Sequence, residues 1–356
     1  MDLSLPEYFV ALIGAGPIGI ELAVALKQTG VNYVHFEAGQ LGQTLTWWPH
    51  NTRFFSSPER IALSGVPIHN PDQQHITGEQ YLAYLRSLVE QYQLDIHLYE
   101  RVVSLERLPA GGFALTSRRQ TGEHRWRAAK VILAIGGMHA PNRLEIPGED
   151  LPHVSHYFDD PHRFFRQRLV VVGGGNSAVE AALRCWRAGA DVTLSYRGPD
   201  LNREEIKPFL LADFDTVTRE GKMRFLPATA AVEIRPGEIV LAPAGPDGQP
   251  VEGPCPCLPA DFVLLLTGHR MDTTLLEQAG VDMQGAEEMP RHNPLTMETN
   301  VPGLFVAGVT VGGSQMQYKH FIETSHAHVP KIVHAITGRR YDLPLVDPSS
   351  PPSETR

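Results

Sequence analysis

The chain has 356 residues, 42% of them hydrophobic and 20% charged, which allows two domains with sizeable cores and excludes a disordered chain or a coiled coil. Its 31 lysines and arginines stand against 40 acidic residues, so the formal charge is −9 and the basic footprint of a nucleic-acid-binding protein is missing. No run of about 18 apolar residues occurs, which excludes a membrane-spanning helix.

The first predicted unit is a strand, a glycine turn, a helix and a second strand, in YFVALIGAGPIGIELAVALKQTGVNYVHFE at residues 8–37. Gly14, Gly16 and Gly19 form G-x-G-x-x-G, which allows a tight turn, the approach of a pyrophosphate and close packing of the helix on the strand. The free N–H groups of the helix N-terminus then face the phosphates. Glu37 ends the second strand, where a carboxylate accepts hydrogen bonds from a ribose and repels a 2′-phosphate. This unit therefore predicts a nucleotide such as FAD.

The middle of the chain continues with one helix and three strands. The amphipathic stretch QYLAYLRSLVEQYQL predicts a helix over 80–94. Strands are expected at 99–106, 112–117 and 124–135, the last of them ending in VILAIGG.

The second predicted unit repeats the order of the first in RLVVVGGGNSAVEAALRCWRAGADVTLSYR at residues 168–197. Its G-x-G-x-x-A motif consists of Gly173, Gly175 and Ala178. The second strand ends on Arg197, and a guanidinium there suits a 2′-phosphate. Two further basic residues follow closely and could add charge: Arg203 and Lys207. This unit predicts an NADPH site, and two such motifs in one chain are a much stronger signal than one.

The rest of the chain predicts a return to the first domain. The expected elements are a helix over 201–220, short strands and a Pro/Gly-rich hairpin over 222–266, buried strands in DFVLLLTG and VPGLFVAG, and a helix over 319–337. We predict an α/β protein with two Rossmann-like dinucleotide-binding domains. The FAD-binding domain comprises 1–157 and 291–343, the inserted NADPH-binding domain comprises 158–290, and 344–356 has the composition of a disordered tail.

Longer stretches resemble a known group of flavoproteins. VILAIGG and GLFVAGV are similar to strands of the low-molecular-weight thioredoxin reductases. A closer resemblance, over about residues 8–338, is to the bacillithiol-disulfide reductase family of the YpdA type. Its motifs appear here in the family's order as GPIGIELAVALKQTGVNYVHFEAG, WWPHNTRFFSSPERIALSGVPI, PNRLEIPGEDLPHVSHYF, VVGGGNSAVEAAL, VTLSYRG, EEIKPF, FVLLLTG, LFVAGV and FIETSHAH. The resemblance implies a thioredoxin reductase-like fold that binds FAD and NADPH.

The resemblance also implies individual site residues. Around FAD these are Gly14, Gly16, Pro17, Gly19, Glu37, Gln43, Thr44, Trp48, Val103, Gly136, Gly308, Val309 and Phe321. Around NADPH they are Gly173, Gly175, Asn176, Ser177, Ala178, Arg197, Arg203, Lys207 and Gly268. Val309 stands where thioredoxin reductases usually have an aspartate, and a non-acidic residue there favours the bacillithiol-type family.

The thiols that such reductases use are missing from their usual places. The bacillithiol-type family has a cysteine directly after the proline of the first glycine turn, where this chain has Ile18, and no C-x-x-C precedes the second turn. Cys185 lies on the helix after the second turn, where a free cysteine usually fills the core. Cys255 and Cys257 form C-P-C in the Pro/Gly-rich hairpin, as either a mobile redox relay or an incidental surface loop.

Histidines and partners complete the predicted chemistry. The 16 histidines show no metal-binding spacing, so no metal site is expected, and His139 and His320 are candidate proton donors near a flavin. We expect a cytoplasmic protein, because the first residues lack a signal-peptide pattern and three cysteines make no disulfide framework. The expected partner is a small-molecule or small redox-protein electron acceptor, without nucleic acid or membrane, and the resemblance implies a homodimer or tetramer.

The leading functional prediction is an NADPH-dependent, FAD-containing oxidoreductase that passes hydride from NADPH to flavin and on to a low-molecular-weight disulfide, another small acceptor or a partner protein. It would work without a CxxC dithiol. A flavin-dependent monooxygenase is one alternative, because IPGEDLPHVSHY nearly matches a motif of those enzymes, with Ile146 in place of Phe and one extra residue before His153. A non-catalytic redox sensor that keeps both nucleotides is another.

Overall fold

The computed structural model describes residues 7–315 and 319–344 as a mixed α/β protein. Its strands are β1 (Glu7–Ile13), β2 (Tyr33–Phe36), β3 (Arg101–Arg107), β4 (Phe113–Arg119), β5 (Gly122–Leu133), β6 (Ala140–Pro141), β7 (Val154–Ser155), β8 (Arg168–Val172), β9 (Asp191–Ser195), β10 (Arg224–Leu226), β11 (Thr229–Arg235), β12 (Glu238–Pro243), β13 (Cys257–Pro259), β14 (Phe262–Leu265), β15 (His269–Arg270), β16 (Met283–Gln284), β17 (Met289–Pro290) and β18 (Leu304–Val306). Its α-helices are α1 (Pro17–Gln28), α2 (Pro58–Ile61), α3 (Gly78–Gln91), α4 (Asn176–Arg187), α5 (Pro208–Arg219), α6 (Thr274–Gln278), α7 (Ile322–Ser325) and α8 (His328–Thr337). Within these described ranges, no helix combines the length and the apolar character that crossing a membrane requires.

The described chain separates into two compact units, whose boundaries differ from the predicted ones. The first comprises 7–46, 51–140 and the described residues from 270 onward, and the second comprises 47–50 and 141–269. The boundaries were expected after 157 and 290. The first difference arises because β7 pairs in parallel with β14 and so extends the sheet of the second unit. The second arises because residues after 270 pack on β3, where the Gln278 side chain accepts the N–H of Leu105 at 3.0 Å.

The first unit is built on a six-stranded sheet in the order β2-β1-β5-β4-β3, with β18 also pairing with β5. The pairs among β2, β1, β5 and β18 are parallel, and β3 and β4 are antiparallel additions. Every residue of α1 from Ile18 to Leu26 is buried, so this helix lies deep in the unit. Because β1, β2 and β18 are parallel, their carboxyl ends lie along one edge of the sheet, which is where ligands bind in open α/β sheets.

The second unit has three layers around a parallel sheet in the order β10-β9-β8-β14-β7. One face packs on α4 and α5 through small and branched side chains, including Ala178, Ala182, Leu210 and Phe214. The other face packs on the antiparallel sheet β11-β12-β13, whose Ile234, Ile239 and Leu241 meet Val170 and Val263. The hairpin predicted from its prolines and glycines is thus the connection between β12 and β13.

Two predicted helices differ in extent from the structure. The helix expected over 201–220 begins only at Pro208, because proline fits the first helical position and residues 201–207 form turns ahead of it. The helix expected over 319–337 is interrupted at His326 and Ala327 and becomes α7 and α8. The predicted tail, 344–356, lies outside the described residues except for Pro344.

Candidate functional site

The first glycine turn joins β1 to α1. Gly14 has φ +104°, and a Cβ on it would lie 2.3 Å from the carbonyl oxygen of Ala134. A Cβ on Gly19 would lie 2.0 Å from the carbonyl oxygen of Gly14, so α1 can approach β1 only without that side chain. A Cβ on Gly16 would meet no heavy atom within 4 Å. The turn is therefore closely packed from within and open at Gly16, directly before Pro17 begins α1, which is the space that a pyrophosphate needs.

Two side chains at the end of β2 hold this turn. The Glu37 carboxylate, 8% exposed, accepts hydrogen bonds from the N–H groups of Ala15 at 2.7 Å and Gly39 at 2.9 Å. The fully buried His35 donates from Nε2 to the carbonyl oxygen of Gly14 at 2.9 Å, while its Nδ1 has no hydrogen-bond partner within the described chain. Burial lowers the pKa of His35 to about 4, which keeps the ring neutral at pH 7. The sequence analysis missed His35, whose signal was a polar residue in an apolar strand.

Val103 lies at an irregularity in the pairing of β3 with β4. Val102 pairs with Ser117 and Ser104 pairs with Thr116, so Val103 faces no residue of β4. A bulged residue keeps its backbone groups out of the ladder. The carbonyl oxygen of Val103 lies 3.5 Å from Nε2 of Gln278, and the place of Val103 around FAD stays a prediction.

Three other residues predicted around FAD follow β2. Gln43 and Thr44 begin a single turn of 3-10 helix, and the Gln43 side chain accepts the N–H of Gln40 at 3.1 Å. Trp48 falls in the stretch 47–50, which packs with the second unit and not with the unit that carries the first glycine turn.

The carboxyl end of β18 brings together a second group of predicted FAD contacts. Gly308 donates its N–H to Nδ1 of His328 at 3.1 Å, and Gly136 donates its N–H to Oγ1 of Thr310 at 2.9 Å. A Cβ on Gly308 would lie 3.4 Å from Cβ of Ile18, which is 5% exposed. The position of the family's turn cysteine thus holds a sealed aliphatic side chain beside Gly308. Thr310 and His328 were not predicted as site residues, because only the fold brings them to these glycines.

The histidines near Gly308 are neutral around pH 7. Burial, reinforced by the neighbouring His320, lowers the pKa of His328 to about 4, and the Gly308 N–H on Nδ1 leaves the proton on Nε2. Burial, with His292 and Lys319 nearby, also lowers the pKa of His320. A lowered pKa leaves fewer of these rings protonated near pH 7, and the role of His320 as a proton donor stays a prediction.

Three remaining predictions of this unit lie at its surface or near it. His139 is exposed, with Nε2 3.7 Å from the Asp272 carboxylate. Phe321 is 40% exposed directly before α7. Val309 is half-buried and follows Gly308 in a short 3-10 turn.

The second glycine turn joins β8 to α4 in the same way as the first. Gly173 has φ +150°, and a Cβ on it would lie 2.4 Å from the carbonyl oxygen of Leu266 and 3.0 Å from Cβ of Ala178. A Cβ on Gly175 would meet no heavy atom within 4 Å. This turn is therefore also closely packed at its first glycine and open at Gly175, where a second pyrophosphate would need space.

Tyr196 is a neighbour of this turn that the sequence analysis missed. A Cβ on Gly174 would lie 2.3 Å from ring carbons of Tyr196, and a Cβ on Gly198 would lie 2.6 Å from the same ring. The ring thus packs between two glycines at the carboxyl end of β9. The available signal was the run of three glycines, of which the motif explains only two.

Arg197 and Arg203, both predicted around NADPH, differ in how their charges are balanced. Arg203 donates to the Asp215 carboxylate at 2.9 and 3.1 Å and to Asp200 at 3.2 Å. Arg197 is exposed two residues after the end of β9, and among the residues that the structure describes it has neither a hydrogen-bond partner nor an ion pair. Arg197 therefore carries the charge that is available to a phosphate, whereas that of Arg203 is already neutralised.

Other predicted NADPH residues support the second turn. The Asn176 side chain accepts the N–H of Lys207 at 2.9 Å and donates to the carbonyl of Glu205 at 3.0 Å, so it ties the start of α4 to the segment before α5. Ser177 is exposed on the first turn of α4. Gly268 has φ +91° and follows the carboxyl end of β14, where its carbonyl accepts a backbone N–H at 3.0 Å.

The three cysteines all lie in the second unit. Cys185 is fully buried in α4, and burial raises the pKa of its thiol to about 12. Cys255 and Cys257 are exposed in the β12–β13 hairpin and at the start of β13. Sγ of Cys257 lies 4.0 Å from Nη1 of Arg235, and Cys255 donates to the carbonyl of Gly253 at 3.4 Å. Only the hairpin pair is accessible to a dissolved disulfide.

The stretch that resembles a monooxygenase motif is a structural loop of the second unit. A Cβ on Gly148, φ +83°, would lie 1.8 Å from the carbonyl oxygen of Ile234 in β11. The buried Glu149 accepts the N–H groups of Leu144 at 2.9 Å and Glu145 at 2.7 Å. Close packing on β11 and satisfaction of the loop backbone account for these residues.

Buried charges in the first unit pair with one another. The fully buried Glu21 of α1 accepts the N–H of Ser64 at 2.9 Å and lies 2.8 Å from Nδ1 of His326, whose Nε2 is 3.0 Å from the carbonyl oxygen of Arg60. Burial lowers the pKa of His326, but Glu21 and the Arg60 carbonyl outweigh it and raise that pKa overall. Among the described residues, no cluster of three or more His, Cys, Asp or Glu side chains is arranged to hold a metal ion.

Comparison with known proteins is consistent with this architecture. The profile of the pyridine nucleotide-disulphide oxidoreductase family matches residues 11–308. Bacilliredoxin reductase Bdr of Bacillus subtilis is 32% identical over 328 residues, which cover 92% of this chain and 97% of that protein. A ferredoxin–NADP reductase of Ignicoccus hospitalis is 28% identical over 304 residues, 83% of this chain and 88% of that one. The solved structure of bacillithiol disulfide reductase Bdr (YpdA) from Bacillus cereus has a TM-score of 0.87 at 29% identity, over 94% of this chain and 100% of that chain.

The chain belongs to the pyridine nucleotide-disulphide oxidoreductase family. The predicted resemblance to the bacillithiol-disulfide reductases is confirmed, as are the thioredoxin reductase-like fold class and the prediction of an enzyme. It is a flavoprotein oxidoreductase, and the family implies a flavin and a nicotinamide nucleotide as its cofactors.

Proposed function

We propose that the chain is an NADPH-dependent, FAD-containing oxidoreductase that reduces a low-molecular-weight disulfide, another small acceptor or a partner protein, without a CxxC dithiol. The observation that carries this proposal is the opposite charge that follows β2 and β9: Glu37 beside the first turn, and Arg197, without a described partner, beside the second. A carboxylate repels a 2′-phosphate, whereas a guanidinium binds it. The first unit would therefore hold FAD and the second NADPH.

The first unit offers three kinds of group to FAD. The open turn at Gly16 and the N-terminus of α1 present N–H groups to the pyrophosphate. Glu37, already fixed by two N–H groups, keeps acceptor sites for ribose hydroxyls. His328 holds its proton on Nε2, as a neutral hydrogen-bond donor near Gly308.

The second unit offers a phosphate turn and a positive charge to NADPH. The open turn at Gly175 presents the N-terminus of α4 to the pyrophosphate, and Arg197 would pair with the 2′-phosphate. A flavin, when bound, supplies two-electron transfer from a dihydronicotinamide to an acceptor. The protein's part is to bind both nucleotides in the orientation that this transfer needs and to exclude water from it.

The positions of the cysteines limit which electron acceptors the protein could reduce. The names of the relatives point to bacilliredoxin, bacillithiol disulfide and ferredoxin as candidates. Ile18 replaces the turn cysteine, and Cys185 is sealed in the core. A disulfide acceptor would then exchange with Cys255 and Cys257 or be reduced without a protein thiol. A ferredoxin or a quinone needs no thiol, so both classes belong in the test.

The test is a turnover screen of the FAD-loaded protein. NADPH or NADH is supplied with bacillithiol disulfide, oxidised bacilliredoxin, ferredoxin, a benzoquinone or oxygen. We expect kcat/KM for NADPH to exceed that for NADH by about 30-fold or more, as expected for a charge-assisted phosphate contact, and one acceptor to react faster than oxygen. A protein that binds FAD but is not reduced by NADPH would contradict the proposal. Ile18→Cys is the comparison that shows whether a turn thiol selects disulfide acceptors.

A further inference from the structure

The tip of the β12–β13 hairpin, to which the proposed function assigns no role, lies against Arg197. A Cβ on Gly248 would be 2.7 Å from Cδ of Arg197 and 3.1 Å from its Cγ and Nε. Gly248 also has φ +75°, a conformation that other residues rarely adopt. The aliphatic stem of Arg197 therefore rests on the backbone of Gly248 at a distance that only glycine permits.

Backbone hydrogen bonds fix this hairpin relative to the end of β9. The N–H of Ala228 donates to the carbonyl of Gly198, directly after Arg197, at 2.8 Å. The N–H of Ala244 donates in turn to the carbonyl of Ala228 at 2.8 Å. The contact between Gly248 and Arg197 thus belongs to a continuous hydrogen-bonded path and does not depend on a free loop.

The hairpin turn, residues 244–250, is also held from within. The N–H of Gly245 donates to the carbonyl of Gln249, and the N–H of Gly248 donates to the carbonyl of Gly245, both at 2.8 Å. Asp247 is the only carboxylate in the turn, and one of its oxygens accepts the N–H of Gln249 at 3.0 Å. The turn therefore presents a defined backbone surface to the arginine stem.

We propose that the turn 244–250 forms the second wall of the 2′-phosphate site and that Gly248 is a positioning residue, which sets the direction of the Arg197 side chain. This inference rests on the proposed function and adds to it the segment that makes the site selective. A long arginine loses rotamer freedom when it binds a phosphate, and a stem already held in place loses less. The ligand class is an adenosine nucleotide with a 2′-phosphate.

Gly248→Ala tests the proposal because it adds one methyl group where the stem of Arg197 lies. We expect KM for NADPH to rise about 10-fold, the equivalent of losing a well-oriented charged hydrogen bond, while kcat and KM for NADH stay within about twofold. Gly237→Ala is the matched control, since Gly237 has φ +83° in the β11–β12 turn and a Cβ there meets nothing within 4 Å. Both variants carry similar backbone strain, but only the first touches Arg197.

Binding of 2′,5′-ADP by calorimetry gives a second measurement that does not depend on turnover. Gly248→Ala should weaken it about 10-fold in the wild-type background and not further in an Arg197→Ala background, because the two act through one side chain. If the alanine variant does not fold, Gly248→Asn places the same Cβ on a residue that tolerates positive φ.

The outcomes separate this inference from the proposed function. An unchanged NADPH/NADH ratio in Gly248→Ala, together with a lost preference in Arg197→Ala, would overturn the positioning role and leave the proposed function standing. An unchanged ratio in Arg197→Ala itself would overturn the NADPH assignment. A loss of discrimination in Gly237→Ala equal to that in Gly248→Ala would reduce the effect to backbone strain and also overturn the positioning role.

Discussion

The two glycine turns follow one plan but are completed by different parts of the chain. The first turn is held by the end of the adjacent strand, because His35 and Glu37 both form hydrogen bonds with the backbone of the turn, at Gly14 and Ala15. In the second, Leu194 stands at the place that corresponds to His35 and has no polar group to offer the turn, while the next residue, Ser195, lies 2.8 Å from Oγ1 of Thr229. Local sequence thus builds both turns, but the group that would choose the nucleotide is fixed locally in one and by a distant hairpin in the other.

The largest effect is expected where the first turn is closed from within. Gly14→Ala adds a Cβ 2.3 Å from the carbonyl oxygen of Ala134 at φ +104°, so we expect a loss of about 4 kcal/mol in unfolding free energy and a protein purified without yellow colour. Gly16→Ala meets open space and is the matched control. It should unfold like the wild type and yet bind FAD at least about 10-fold more weakly. Equal stability of the two variants would break the distinction.

The next largest effect is the pH dependence of stability, which should come from the buried His35 beside the first turn. His35 has a pKa of about 4 in the folded protein, below its ordinary value near 6.5. The unfolded chain therefore binds the proton first, and the stability gained by keeping His35 neutral is present above pH 6.5 and is lost as the pH falls towards 4. The expected loss is about 3 kcal/mol.

Urea unfolding between pH 4 and 7 measures this loss. His35→Gln keeps an N–H donor for Gly14 but cannot titrate, so its unfolding free energy should fall less steeply with acid than that of the wild type. Ser195→Ala in the second unit should retain the wild-type slope. Identical slopes for all three proteins would show that His35 does not carry the acid sensitivity.

A smaller effect is expected when Arg197 and Arg203 of the second unit are each replaced. Arg197→Ala should raise KM for NADPH about 30-fold and leave KM for NADH unchanged, since only the former has a 2′-phosphate to lose. Arg203→Ala should change both by less than about threefold, because that guanidinium already pairs with Asp200 and Asp215 and exposed pairs contribute little. Similar losses for both cofactors in Arg197→Ala would show that this arginine does not recognise the phosphate.

The smallest expected effect is an almost unchanged rate of flavin reduction when the cysteines are replaced. Serine at positions 185, 255 and 257 together should leave the rate of flavin reduction by NADPH within about twofold, because no cysteine lies in the unit that carries the first glycine turn. Stopped-flow bleaching of the flavin measures this half-reaction. Its loss in a folded, FAD-loaded triple variant would refute the claim, whereas a loss confined to disulfide turnover would assign a role to the hairpin pair.

The sequence predicted those parts of the molecule that depend on neighbours along the chain. The spacing of Gly14, Gly16 and Gly19 was sufficient for the first turn, because a side chain on Gly14 or Gly19 would clash with backbone nearby and Gly16 leaves the turn open. The fold class followed from two such units in one chain. The charges at Glu37 and Arg197 could also be predicted, since each lies within two residues of the end of a short, largely buried strand.

Features that depend on distant contacts could not be read in this way. The domain boundary after residue 140 depends on the pairing of β7 with β14, two strands more than a hundred positions apart. The importance of Gly248 depends on a stem fifty residues earlier, and that of His328 on the N–H of Gly308. In the sequence Arg203 looks as suitable for a phosphate as Arg197. Only the structure shows that the charge of Arg203 is already balanced by Asp215.

The position of Ile18 beside Gly308 has a consequence for inhibition by thiol-reactive reagents. Reductases that work through a thiol next to their flavin are inactivated when an alkylating agent or a mercurial caps that sulfur. Here such reagents meet a hydrocarbon side chain at that position, and the accessible sulfurs, Cys255 and Cys257, belong to the other unit. Alkylation should therefore spare reduction of the flavin and affect only a turnover that runs through Cys255 and Cys257.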